Sequence, residues 1–259
     1  MKTGTGRFFD FRLPALPVKT AWTLFFLGAA APLLQAPAEA GQSTVRLRTA
    51  DGCSLEAFYL APSSGAFVLV NVHGLGSDKN EWAPFQKELE KAGFGYLSLD
   101  LRGHGGSRTC RGKDADYRNF SAADWAAASG DIEAAAAWLK KKGLPPGRQV
   151  FCGASVGANL ALKAAAEGKL KPAALVLLSA GLEYAGIRAD AYLPRAPKRV
   201  LLLAAGDDPY AWRSAVLMSE LAGKHGLKLS AFDGGLGHGV NMFKTPGTAG
   251  KVIDWLRGR

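Results

Sequence analysis

Gly153-Ala154-Ser155-Val156-Gly157 is the stretch best equipped for chemistry. An apolar run from Gln149 to Cys152 enters it, and a helix-forming, alanine-rich segment leaves it. A serine hydroxyl becomes a useful nucleophile when it is exposed, strained toward attack and beside a base. A sharp strand-to-helix turn provides the exposure, and flanking glycines remove the Cβ atoms that would clash in so tight a bend. The turn also sets Ser155 at a helix N-terminus, where backbone N–H groups face developing negative charge. An acid and a base for this serine are on hand downstream. Asp207 and Asp208 follow the apolar run Arg199 to Ala205, and His238 lies in the glycine-rich loop Gly234–Gly239.

The elements that must position these residues follow from the apolar pattern. Ser43 to Leu60 alternates around Asp51-Gly52 and predicts a β-hairpin. Ala66 to Val72, Phe94 to Asp100, Gln149 to Cys152, Ala173 to Leu178, Arg199 to Ala205 and Lys228 to Phe232 read as strands. The Ala66–Val72 run is apolar except at Asn71, as in a strand buried on both faces. Helices are expected from Ser77 or Asp78 to about Lys91, after Ser121, from the serine turn to about Glu167, over Trp212–Ala222 and over Thr248–Arg257. Ser121 with Asp124 resembles a capping box. Strands alternating with helices predict an α/β fold with a doubly wound, mostly parallel sheet and an N-terminal β-hairpin. Chemistry in such a sheet gathers at the carboxyl ends of the strands. Ser155, the Asp207/Asp208 pair, His238 and the loop His73-Gly74-Leu75-Gly76 all come just after strands.

The first forty residues are expected to stand outside the fold. Lys2, Arg7, Arg12 and Lys19 form a basic region, Ala21 to Leu34 is apolar, and Ala38-Glu39-Ala40 offers small residues before Gly41. That is the anatomy of a cleaved secretory signal, with an uncleaved anchor as the alternative. The apolar run is shorter than the roughly 20 residues a spanning helix needs. A signal over 1–40 leaves one domain over 41–259 and predicts a secreted or periplasmic protein. The whole chain carries a net charge of +10. Without residues 1–40 it keeps 28 basic and 20 acidic side chains, so about +8. This excess suits solubility and weak association with an anionic envelope surface. It lacks the basic stripe interleaved with aromatics that nucleic-acid binding requires. With four histidines and no C-x-x-C or H-E-x-x-H pattern, neither metal nor cofactor is expected. Of three cysteines, Cys152 reads as a buried apolar residue. Export permits a Cys53–Cys110 bridge, but an odd count defines no disulfide framework.

From about residue 43 to 259 the chain resembles an α/β-hydrolase, with nucleophile, acid and base in the order Ser, Asp, His. His73-Gly74-Leu75-Gly76 is similar to that family's oxyanion loop. Asp100-Leu101-Arg102-Gly103-His104-Gly105-Gly106-Ser107 is similar to its D-x-R-G-x-G-x-S segment, and Gly237-His238-Gly239 to its histidine loop. The resemblance implies a serine hydrolase in which Ser155 attacks an acyl carbonyl and His238 moves the proton. The backbone N–H groups of Leu75 and Val156 would hold the oxyanion. For the acid it favours Asp208, followed by Pro209. The alternative gives that role to Asp207 and leaves Asp208 to cap the next helix. His73 and His104 read as shaping their loops, and Arg102 as bracing its own against a carboxylate. The segment 179–198 is too short for a multi-helix lid. Leu182, Tyr184, Ile187, Tyr192 and Leu193 within it suggest an open, partly apolar acyl site. The implied partner is a small-molecule acyl substrate, a carboxylic ester or thioester. Acyl transfer or peptide cleavage through the same residues, and a non-catalytic binding module, remain the alternatives.

Overall fold

A computed structural model describes residues 41–227 and 229–258 of the 259-residue chain. The secretory signal expected over 1–40 lies outside the described residues. Among those described, no helix is long and apolar enough to cross a membrane.

The hairpin forms as the alternation requires, with β1 (Ser43–Arg48) antiparallel to β2 (Cys53–Leu60). β3 (Val68–Val72) follows, wholly buried, then a 3-10 turn (Lys79–Trp82) capped by Asp78 and α1 (Ala83–Lys91). β4 (Gly95–Leu99) leads to a small hairpin of β5 (Thr109–Cys110) and β6 (Lys113–Asp114). Cys53 pairs with Cys110 across β2 and β5, and the two form a disulfide that ties this hairpin to the sheet. One expected helix is two: α2 (Ala122–Ala127) and α3 (Ser129–Lys141) meet at Ala128. The Ser121–Asp124 capping box is complete, with both reciprocal bonds made.

β7 (Gln149–Ala154) runs into α4 (Val156–Glu167), and β8 (Ala174–Leu178) follows. The 179–198 connection is a built cover. It contains a hairpin of β9 (Glu183–Tyr184) and β10 (Ile187–Arg188), the single-turn α5 (Ala189–Tyr192) and a 3-10 turn (Leu193–Arg195). Ile187 and Leu193 are buried in the core, so only part of the apolar set expected to line the site is free to do so. β11 (Val200–Ala204), α6 (Pro209–Lys224), β12 (Leu229–Asp233) and α7 (Thr248–Arg257) complete the chain.

The sheet order is β12-β11-β8-β7-β3-β4-β2-β5-β6, with β1 on β2. The six strands from β12 to β4 are mutually parallel. Strand alternation sorts the core into two layers. Val70, Phe151, Leu175 and Leu202 face α2, α3, α4 and α6, while Leu69, Cys152, Val176 and Leu201 face α1 and α7. α4 is buried almost all round, which explains its alanine-rich composition. The chain steps from β3 to β4 in one direction and then crosses back to β7 on the other side of β3. The crevice at such a reversal, outside the carboxyl ends of β3 and β7, is where ligands bind in open α/β sheets.

Candidate active site

Ser155 stands at that reversal, between β7 and α4, with φ 56° and ψ −125°. A non-glycine residue with positive φ carries local strain of about 1–3 kcal/mol, which the surroundings must impose. Its N–H donates to the Leu178 carbonyl (2.9 Å), fixing the turn against β8. The flanking glycines are required by contact. A Cβ at Gly153 would lie 2.3 Å from the Gly157 oxygen, and one at Gly157 would lie 2.4 Å from the Val72 oxygen. β7, α4 and the end of β3 therefore approach more closely than any side chain allows.

Val156 is the first residue of α4, so its N–H has no partner within the helix. On the β3 side, the Gly74 N–H donates to Glu81 Oε1 (3.1 Å) and the Gly76 N–H to His104 Nε2 (3.4 Å). Among the described residues the Leu75 N–H between them is engaged by no hydrogen bond. A Cβ at Gly74 would sit 3.4 Å from Ser155 Cβ, so this loop passes directly beside the serine.

His73 and His104 are both buried and hold the loop from below. His73 Nε2 accepts the Leu101 N–H (2.9 Å), so Nδ1 carries the proton and donates to the Gly74 carbonyl (2.7 Å). His104 is arranged alike, Nδ1 facing the Arg102 carbonyl (3.0 Å) and Nε2 accepting from Gly76. Burial is the main cause that pushes His73 down to about 4, with the neighbouring His104 adding to it. Burial likewise lowers His104. Both imidazoles are spent on structure. Arg102 bonds Asp131 and Asp51 and braces the following loop. Burial pushes the Glu81 carboxyl up, against the bonds from Ser77 and Gly74.

On the opposite side of Ser155, β11 and β12 deliver the acid and the imidazole. Asp208 Oδ2 lies 2.6 Å from His238 Nδ1, while Oδ1 accepts the Ala211 N–H (3.2 Å) and caps α6. Acid-to-histidine contact and helix capping thus fall on one carboxylate. Asp207 instead accepts the Gly237 N–H through both oxygens (2.9 and 3.1 Å) and steadies the histidine loop. The Gly239 N–H donates to Ser179 Oγ (2.9 Å), which docks the same loop onto the end of β8. The structure so brings Asp208 and His238 into contact, but it makes no Ser155–His238 hydrogen bond. Such bonds commonly tighten only when substrate binds.

Three contributors escaped sequence reasoning as site residues, Glu81, Asn159 and Ser179, while Tyr184 was expected only as part of an apolar lining. Asn159 had a visible signal, a lone amide in the alanine- and leucine-rich stretch of α4. It is buried, and it holds the cover by bonds to the Gly181 N–H and carbonyl and to the Ile187 carbonyl. The site is partly open to solvent on the histidine side. The His238 side chain is 45% exposed. Leu75 and Leu236, on the two flanking loops, are also exposed.

A parallel sheet with a strained serine at its reversal point, and Asp and His on the loops beyond, defines a class of α/β enzyme scaffold. Residues 68–219 match the sequence family described as alpha/beta hydrolase fold, and the chain belongs to that family. No curated protein matches it in sequence. Solved structures resemble it at low identity. An esterase of Pyrococcus furiosus shares 19% identity at a TM-score of 0.68, over 84% of this chain and 90% of that one. A thermostable carboxyl esterase of Bacillus coagulans, solved with glycerol, shares 13% at 0.67, over 84% and 98%. A dienelactone hydrolase of Anabaena variabilis shares 22% at 0.60, over 84% and 95%.

Proposed function

We propose that this chain is an exported serine hydrolase that cleaves carboxylic ester or thioester bonds of modest size. The observation that carries the reading is the 2.6 Å Asp208–His238 contact beside a strained serine at the sheet's reversal point. The solved structures it resembles include proteins named as esterases and a dienelactone hydrolase, which supports ester chemistry over other acyl transfers. The open site and the exposed Leu75 and Leu236 suit a small, partly apolar acyl substrate.

The steps follow from the groups present. Ser155 Oγ attacks the carbonyl carbon as His238 Nε2 takes its proton. Asp208 holds the ring with Nδ1–H toward itself and stabilises the imidazolium. The carbonyl oxygen becomes an oxyanion between the Leu75 and Val156 N–H groups. The C–O or C–S bond then breaks, and the leaving group takes the proton from His238. Water, activated by the same imidazole, hydrolyses the acyl-enzyme. Export rests on the pattern over residues 1–40, and N-terminal sequencing of the secreted protein checks it, with a start near Gly41 expected. The net positive charge supports weak attraction to an anionic envelope surface.

A fluorophosphonate probe tests the central claim. The wild type should be labelled and should hydrolyse p-nitrophenyl butyrate, and Ser155→Ala should do neither. An unlabelled wild type, inert toward esters and thioesters, would make the domain a binding module and overturn the reading.

A further inference from the structure

Tyr184 is a side chain beside His238 that the mechanism above does not use. It sits in β9, on the cover that follows β8. Its ring stands edge-on to His238, at 89° with centroids 6.4 Å apart, and edge-on to Tyr210 at 5.4 Å. These two contacts set its ring on the His238 side of the serine turn. The approach is enforced: a Cβ at Gly181 would fall 2.6 Å from Tyr184 Cε2 and 2.8 Å from Tyr210 Cε1.

The hairpin that carries Tyr184 is fastened on three sides. Tyr210 Oη accepts the Glu183 N–H (3.1 Å) and donates to the Glu183 carbonyl (2.8 Å). Asn159 bonds both backbone groups of Gly181, and Ser214 Oγ accepts the Leu182 N–H (3.1 Å). Ala185 and Gly186 both have positive φ, as a tight two-residue hairpin turn demands. The phenol is therefore presented at a fixed place by the cover.

Sheet order tells what that place is. The N–H groups of Leu75 and Val156 lie on the β3 side of Ser155 and at the start of α4. Tyr184 enters from the β8 side, where β11 and β12 also deliver Asp208 and His238. A tetrahedral carbon on Ser155 that turns its oxyanion toward the β3 loop turns its leaving oxygen toward His238. Tyr184 borders that same corner. Burial, Asp208 and Tyr210 push the phenol up to about 12 despite an opposing pull from Ser155, so it stays a neutral donor.

We infer that Tyr184 is a further catalytic residue, whose hydroxyl donates a hydrogen bond to the departing alkoxy oxygen of the ester. When the C–O bond breaks, its electron pair passes to that oxygen and the proton comes from His238 Nε2. Tyr184 keeps its own proton throughout. Its donation counts most where the leaving oxygen develops most charge, so the site is tuned to unactivated alkyl esters. This deepens the esterase reading and rests on it.

The test is a leaving-group series of butyrate esters, from p-nitrophenyl through phenyl to ethyl, on wild type and Tyr184→Phe. Rates are normalised to sites titrated with fluorophosphonate, so a poorly folded fraction does not enter. A hydrogen bond to a charge-bearing oxygen is worth about 1.5–3 kcal/mol. The variant should thus lose roughly 10- to 100-fold in kcat/KM for ethyl butyrate. For p-nitrophenyl butyrate the loss should be only about threefold, since that oxygen carries its charge unaided. An equal loss across the series, or no loss, overturns the inference and leaves the esterase reading standing. A wild type that takes no label and cleaves no ester overturns both.

Discussion

At the scale of the residue, the adjacent carboxylates Asp207 and Asp208 divide two tasks that one residue type could perform. Asp208 faces His238 Nδ1 and can hold the imidazole in the tautomer that accepts a proton from Ser155. Asp207 accepts only from backbone, at Gly237. An amide at 207 still accepts that N–H through its carbonyl oxygen. An amide at 208 can present the wrong group to His238 and favours the wrong tautomer. Asp208→Asn should therefore lower kcat about 10³–10⁴-fold, whereas Asp207→Asn should cost less than about tenfold. Steady-state hydrolysis of p-nitrophenyl butyrate separates them, and a larger loss at 207 would reverse the assignment. The sequence pointed to Asp208 through the following Pro209. It could not show that one carboxylate both caps α6 and meets His238, because that depends on how β11 and β12 end side by side.

At the scale of the element, the cover over 179–198 behaves as a fixed wall. Its backbone polar groups are met by side chains of α4 and α6, so it cannot lift without leaving those groups unpaired. Asn159 is the principal tie. Replacing it with alanine strands the Gly181 N–H and carbonyl and the Ile187 carbonyl in a buried place, at a cost of about 2–4 kcal/mol. Asn159→Ala should lower the urea midpoint and speed tryptic cleavage at Arg188 and Arg195. Unchanged proteolysis would mean that the cover is held elsewhere. This element was the least legible part of the chain. Its strands are two residues each, too short for periodicity to register, and its bonds run to residues far away in sequence. The β5–β6 hairpin escaped notice for the same reason, and without it the Cys53–Cys110 bridge could be named only as a possibility. The long parallel strands were legible because burial on both faces writes itself as an unbroken apolar run.

At the scale of the whole molecule, the glycine-rich loops that frame the site rest on buried polar groups, and these make stability depend on pH. His73 is the clearest case, since it is fully buried and its two ring nitrogens are committed to Leu101 and Gly74. Its folded pKa near 4 lies below the unfolded value of 6.5. The unfolded chain then binds the proton first. The contribution of His73 is present in full above pH 6.5 and is lost as pH falls toward 4, by about 3 kcal/mol in all. Asp131 works the other way. Burial raises its carboxyl from 3.8 to about 6 against the pull of Arg102. The folded state therefore binds that proton first, and stability rises as pH falls from about 6 to 3.8. The two effects run in opposite directions, so a single acid-denaturation curve does not separate them. A comparison with His73→Gln removes the shared Asp131 contribution. The stability of wild type relative to the variant should fall by about 3 kcal/mol between pH 7 and pH 4, read from urea unfolding at each pH. A difference that stays flat across that range would mean that His73 does not enter the folded state as a neutral, hydrogen-bonded ring.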